Sequence, residues 1–375
     1  MLMNRRLLLY FFLTGFLVIG CKERFEPNLP ALSKSYLVVE GSINGGDVPT
    51  RITLSRSSPV NTPKNFLPEE NALVIVEGED NSSQSLTNSG DGAYLSSGLT
   101  LNQSIRYRVK ILTGGKEYVS EYVSIKSTPP IDSINWIEED GGVNIYANTH
   151  DPQNNTRYYR WNFEETWEIH SAFSASYRYV DGVVRPTNSS IDPDIYFCWK
   201  YDHSKYILVG SSAKLETDVI FRQPLLSMRY GEERIGVRYS ILVRQYAIEK
   251  QEYDFLSQMK KNTESLGTIF DPQPSALRGN IRCVTDPDDP VVGYVGASVV
   301  REQRIFIRAA EISAPRFKMT CPTDTIPVDS IYFAVPASLP YNAVQRGPSI
   351  DSYLVSTPRC VDCTLRGTNV KPSFW

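Results

Sequence analysis

Residues 104–111 read SIRYRVKI, an unbroken alternation of polar and apolar side chains. Ile105, Tyr107, Val109 and Ile111 point one way while Ser104, Arg106, Arg108 and Lys110 point the other, the period of a half-buried strand. The same alternation recurs at Tyr159, Trp161, Phe163, Trp167 and Ile169, with Arg160, Asn162, Glu164, Thr166, Glu168 and His170 opposite. It returns at Ile235, Val237, Tyr239, Ile241 and Val243, against Arg238, Ser240 and Arg244. Such stretches are antiparallel strands with one wet face. Leu37 to Ile43, Leu73 to Val76, Tyr118 to Ile125, Tyr206 to Val209 and Ile305 to Ile307 read as further short strands, with turn chemistry at Asn44-Gly45-Gly46-Asp47 and Gly114-Gly115.

Composition agrees: 24 prolines and 23 glycines punctuate short apolar runs, and tyrosine reaches 22. The expected fold class is mainly all-β. Ser127-Thr128-Pro129-Pro130 marks a boundary, because consecutive prolines cannot continue a ladder. Residues 35–127 have the size and turn rhythm of an immunoglobulin-like β-sandwich. Residues 131–312 form a larger β-rich domain. Within it, near 248–266, Ile248, Phe255, Leu256 and Met259 share one helical face ahead of Gly267. The helix reads as packing over a sheet end, without chemistry. Residues 313–375 read as an irregular, disulfide-tethered C-terminal segment.

The chain opens with Arg5-Arg6, continues apolar from Leu7 to Val18 and reaches Val18-Ile19-Gly20-Cys21. A basic start, a short apolar run and a small residue before the cut make residues 1–20 an export signal. The run is shorter than the ~20 residues a spanning helix needs. Val-Ile-Gly-Cys resembles the bacterial lipobox, which implies that Cys21 is lipidated and that residues 21–34 link the anchor to the folded body. A diacylated cysteine implies lasting membrane attachment.

Acids and bases are mixed along the chain, with a net charge of −3, so no basic footprint for nucleic acid exists. After Cys21 the cysteines are Cys198, Cys283, Cys321, Cys360 and Cys363. Thiols of an exported protein tend to pair, and five leave one over. Cys360-Val361-Asp362-Cys363 has CxxC spacing, but a redox motif wants a βαβ context and zinc wants a second, matching pair. Structural disulfides are expected among Cys198, Cys321, Cys360 and Cys363. At least one of the CxxC pair should reach a distant cysteine, Cys198 and Cys321 being the expected partners; a local Cys360–Cys363 bridge is the alternative. Leaving Phe374-Trp375 exposed would be costly, so Trp375 should pack against the body.

No familiar catalytic motif occurs. The three histidines, His150, His170 and His203, form no metal-binding spacing, and His170 reads as solvated. Asp286-Pro287-Asp288-Asp289-Pro290 could suggest calcium, yet the EF-hand's glycine and glutamate places hold Val291 and Ala297, so a turn fits better. No metal or cofactor is expected. Tyr177, Tyr179, Trp199 and Tyr201, in a region that also holds Tyr196, Phe197 and Tyr206, are candidate binding aromatics, against the alternative that they fill a core.

Taken together, the lipobox, YLVVEGS at residues 36–42, Gly279-Asn280-Ile281 with Pro290-Val291-Val292-Gly293-Tyr294, and the ending CVDCTLRGTNVKPSFW resemble the lipoprotein family of Bacteroidota catalogued as domain of unknown function 4249. The ending departs in having only Gly367 where two glycines are common. The resemblance implies an outer-membrane lipoprotein, often encoded near a TonB-dependent transporter. Lys22-Glu23 and Glu26 resemble the signal that sends such lipoproteins to the cell surface. The leading expectation is a non-catalytic accessory or binding partner of that transporter in nutrient uptake. The alternatives are a surface hydrolase of glycans or peptides, using scattered carboxylates as acid and base, and a structural adhesin.

Overall fold

The computed structural model of the protein describes residues 35–57, 67–96, 98, 99, 101–264, 279–314 and 317–375. The export signal, Cys21 and the linker therefore lie outside the described residues, as does Gly267. The fold is mainly β. Among the described residues no helix is long and apolar enough to cross a membrane.

The opening stretch behaves as its pattern dictates. The strand Arg106–Thr113 buries Tyr107, Val109, Ile111 and Thr113 and leaves the intervening residues wetter. Gly114 and Gly115, at φ 57° and 73°, then supply the left-handed turn that pairs it with Lys116–Ser120. Ser83–Asn88 pairs with Leu73–Gly78 on one side and Ala93–Leu95 on the other, so the strand path is continuous. It folds over one core, in which Val39, Ile52 and Leu54 meet Val76, Val109 and Tyr118.

This unit does not end at residue 127, and that boundary is corrected here. Ile281–Cys283 pairs with Lys116–Ser120, while Val291–Gly293 and Gly296–Ser298 pair in parallel with Leu37–Asn44. Cys283, Val295 and Ala297 enter the first core. The parallel pairs also depart from a purely antiparallel immunoglobulin-like arrangement. Strands of three residues are too short to display a period, which is why they escape a pattern reading. Close backbone approach explains their glycines: a Cβ on Gly279 would lie 1.5 Å from the Gly293 carbonyl oxygen, and one on Gly293 2.2 Å from that of Val39. Asn280, buried, bonds both the N–H and the carbonyl of Val295. The motifs at 36–42, 279–281 and 290–294 thus meet at one seam.

The second unit packs a three-stranded sheet (Ile131–Glu139, Gly142–His150, Val219–Arg229) against a five-stranded one (Phe197–His203, Tyr158–His170, Leu208–Ser211, Arg238–Ala247, Arg301–Arg308). Val143, Ile145 and Met228 meet Trp161, Tyr239, Ile241 and Ile307 between them. Ile235 falls in a short 3-10 turn rather than in the strand. The Ser127–Pro130 joint is packed: Thr128 Oγ1 accepts from Ala247 N and the Pro129 carbonyl accepts from Gln245 Nε2.

The helix spans Lys250–Glu264 and buries Phe255, with Ile248 buried just before it. It also buries Glu252, 2 % exposed, which sits one turn from both Ile248 and Phe255 on the same face. The C-terminal segment is not irregular, a second correction. Thr323–Pro327, Ser349–Ser356 and Leu339–Arg346 form an antiparallel sheet, whose Tyr353 and Val355, with Ile331 of the short helix Ile331–Ala334, pack with Tyr177, Tyr179 and Val184 of the hairpin Tyr177–Val180/Val183–Pro186.

Candidate functional site

One disulfide, from Cys198, ties the C-terminal segment to the second unit, and a second, between Cys321 and Cys360, closes that segment on itself. Cys198 bonds Cys363 and Cys321 bonds Cys360, so the CxxC pair reaches outward twice instead of closing on itself. Cys283 is free and buried. The residues between and after these bridges finish a wall. The Trp199 N–H donates to the Thr368 carbonyl at 2.7 Å and the Thr368 N–H returns a bond to Trp199 at 2.9 Å. A Cβ on Gly367 would lie 2.6 Å from the Trp199 carbonyl oxygen, so this contact needs glycine.

Arg366, with a side chain only 4 % exposed, pairs with Glu233 and donates to the His170 carbonyl at 2.6 Å. Lys200 also binds Glu233, leaving that carboxylate doubly neutralised. The sequence reading missed Arg366; its place inside the CVDCTLRGTN motif was the available signal.

Beside this wall lies an open groove of about 1040 Å³. Its floor comes from the ends of three neighbouring strands, through Glu168, His170, Arg238 and Arg308; Phe317 to Cys321 form its rim and Phe173 lies to one side. Trp199, Glu168, Arg238 and Arg308 stand in one cross-strand row. Glu168 is committed: His170 Nε2 lies 2.6 Å from one oxygen and Trp375 Nε1 donates to the other at 3.2 Å. The His170 contact, outweighing burial, holds the Glu168 carboxyl below its usual range. His170 is thus half-buried between Glu168, Tyr196 and Phe197 instead of freely solvated. The Arg238 guanidinium lies over Phe306 and Trp375, at 4.4 and 4.9 Å from the ring centres.

The candidate aromatics do not gather on one surface. Tyr177 and Tyr179 are spent on the C-terminal core, Tyr177 edge-on to Tyr353 at 5.4 Å. Trp199 and Tyr201 share a strand face, but Trp199 is buried under Trp375 and Tyr201 is 53 % exposed. The Asp286–Asp289 stretch is a turn: Asp289 N donates to the Asp286 carbonyl, Lys116 Nζ lies 3.0 Å from both carboxylates, and Tyr118 donates to Asp289. Among the described residues no group of three or more His, Cys, Asp or Glu side chains is placed to hold a metal ion.

Inward carboxylates occur elsewhere. Glu165, 3 % exposed, accepts from Tyr239 at 2.7 Å and pairs with Arg234, whose other nitrogen binds Glu232. Asp218 accepts from Tyr159 and Ser212. Both are satisfied core groups.

A family model described as "Domain of unknown function (DUF4249)" matches residues 22–304. No curated protein matches the chain. A solved structure from Bacteroides uniformis, provisionally described as a carbohydrate-binding protein, is 9% identical with a TM-score of 0.15, over 57% of this chain and 90% of that one. A likeness this low bears on neither fold nor function.

Proposed function

The chain belongs to the DUF4249 family, and on that premise we propose that it is an exported, lipid-anchored, non-catalytic binding protein that serves a TonB-dependent transporter of the outer membrane in nutrient uptake. The observation that carries this reading is the pair of nested disulfides, Cys198–Cys363 and Cys321–Cys360, beside a preformed groove. Disulfides persist in oxidising compartments, which agrees with the export signal and the lipobox cysteine. A binding site held open by covalent ties loses little freedom when a ligand enters, which favours capture. The groove's carboxylates support binding over hydrolysis: Glu168 and Glu233 are both engaged by neighbouring donors. The transporter as partner, and the cell surface as the facing side, come from the family resemblance.

Affinity purification of the full chain from membranes in mild detergent tests the partnership. The expected result is recovery of a β-barrel transporter with the lipoprotein. Recovery of the lipoprotein alone would count against it.

A further inference from the structure

On the floor of the groove Arg238 and Arg308 are direct cross-strand partners. Their side chains therefore leave the same face of the sheet, with Cβ atoms about 4.5–5.5 Å apart. Like charges placed opposite one another destabilise a sheet. Elsewhere the protein pairs such groups: Arg234, Arg244 and Arg366 each reach a glutamate. Among the described residues no carboxylate comes within 4.0 Å of the Arg238 or Arg308 guanidinium. Glu168, the neighbour of Arg238, is turned to His170 and Trp375, and Glu311 accepts from the Arg308 backbone N–H.

The pair is also oriented. Phe306 and Trp375 hold the Arg238 guanidinium flat, and its buried Nε lacks a partner. Arg308 is exposed to the groove, and Lys318 on the rim adds a third positive charge. Next to these cations lie Phe173, Phe317 and Met319. A guanidinium fork matches the oxygens of a carboxylate or a phosphate, and the groove has the size of a small-molecule site.

We propose that the groove binds an organic oxyanion, its carboxylate or phosphate set between Arg238 and Arg308 and its carbon body against Phe173, Phe317 and Met319. This names the ligand class of the groove and rests on reading the chain as a binding protein.

The test uses the full chain with its disulfides intact and titrates benzoate, phenyl phosphate, benzyl alcohol and inorganic phosphate, followed by tryptophan fluorescence and calorimetry. At least one of benzoate and phenyl phosphate should bind, and benzyl alcohol should bind at least about tenfold more weakly, as expected for loss of charge-assisted contacts. Which of the two binds better identifies the head group. Arg308→Gln should weaken the favoured probe by about tenfold or more and, by removing the opposed charge, raise the melting temperature of the free protein. Arg346→Gln, at an exposed arginine of the C-terminal sheet, should change neither.

Equal binding of benzyl alcohol and benzoate would overturn the proposal, as would an Arg308→Gln protein that binds normally. So would inorganic phosphate binding as tightly as phenyl phosphate, because the apolar wall would then contribute nothing. Failure of every probe with the transporter still co-purifying would defeat this inference alone. Binding without co-purification would defeat only the transporter partnership.

Discussion

Trp375, the last residue, donates its indole N–H to Glu168 Oε2 across 3.2 Å, 207 positions away in the chain. The same ring contacts Trp199, Phe306 and the Arg238 guanidinium. Through these contacts Trp375 covers part of the outer face of the five-stranded sheet. Full burial makes a Trp→Ala change cost about 3–5 kcal/mol; for this half-buried ring we expect Trp375→Ala to cost about 2 kcal/mol. Urea unfolding measures it. A midpoint unchanged from the parent would show that the Trp375 ring contributes nothing.

The two disulfides close loops of very different length, with sequence separations of 165 and 39. In the chain-entropy model these correspond to about 5 and about 4 kcal/mol. Replacing Cys198 and Cys363 together by serine should therefore destabilise more than replacing Cys321 and Cys360. Non-reducing peptide mapping should find both long links, and Cys283, 4 % exposed, should alkylate only on unfolding. A peptide carrying Cys360 bridged to Cys363 would contradict this arrangement.

Glu252 gives a pH signature. Burial raises its pKa; Arg160, at 3.6 Å, opposes the rise and Glu249 adds to it, while its Oε1 has no hydrogen-bond partner. A raised folded pKa means that the group's contribution is complete below its unfolded value near 4.5 and is lost as pH climbs through the folded value. Glu252→Gln, which cannot ionise, should flatten this decline, so that its stability relative to the parent rises as pH climbs. Thermal melts at pH 5 and pH 8 decide it. An identical pH dependence in parent and variant would remove Glu252 from the account.

Long alternating strands were legible because a wet face and a dry face imprint a period of two over eight or more residues. The stretches around Tyr107, Trp161 and Tyr239 all read this way, and the helix read from Ile248, Phe255 and Met259. Short elements carried no such imprint. Ile281–Cys283 and Val291–Gly293 owe their places to backbone approach at Gly279 and Gly293, which no hydrophobic period encodes. The C-terminal sheet was hidden for a different reason: Leu339–Arg346 is largely exposed, so its sequence lacks a clean apolar face. Of the wall beside the groove, the cysteines and Trp375 were legible from their chemistry. Arg238 was seen only as a wet-face residue, because its opposition to Arg308 depends on the register between strands about 60 positions apart.

Membrane attachment through Cys21 is the premise on which a partnership with an outer-membrane transporter depends, and fractionation of cells expressing Cys21→Ala tests it most directly. The account predicts that the variant leaves the lipidated membrane fraction, as uncut precursor or released protein, because Cys21 is the sole acylation site that the lipobox motif offers. A variant that remains lipidated in the membrane at the parent's level would contradict it.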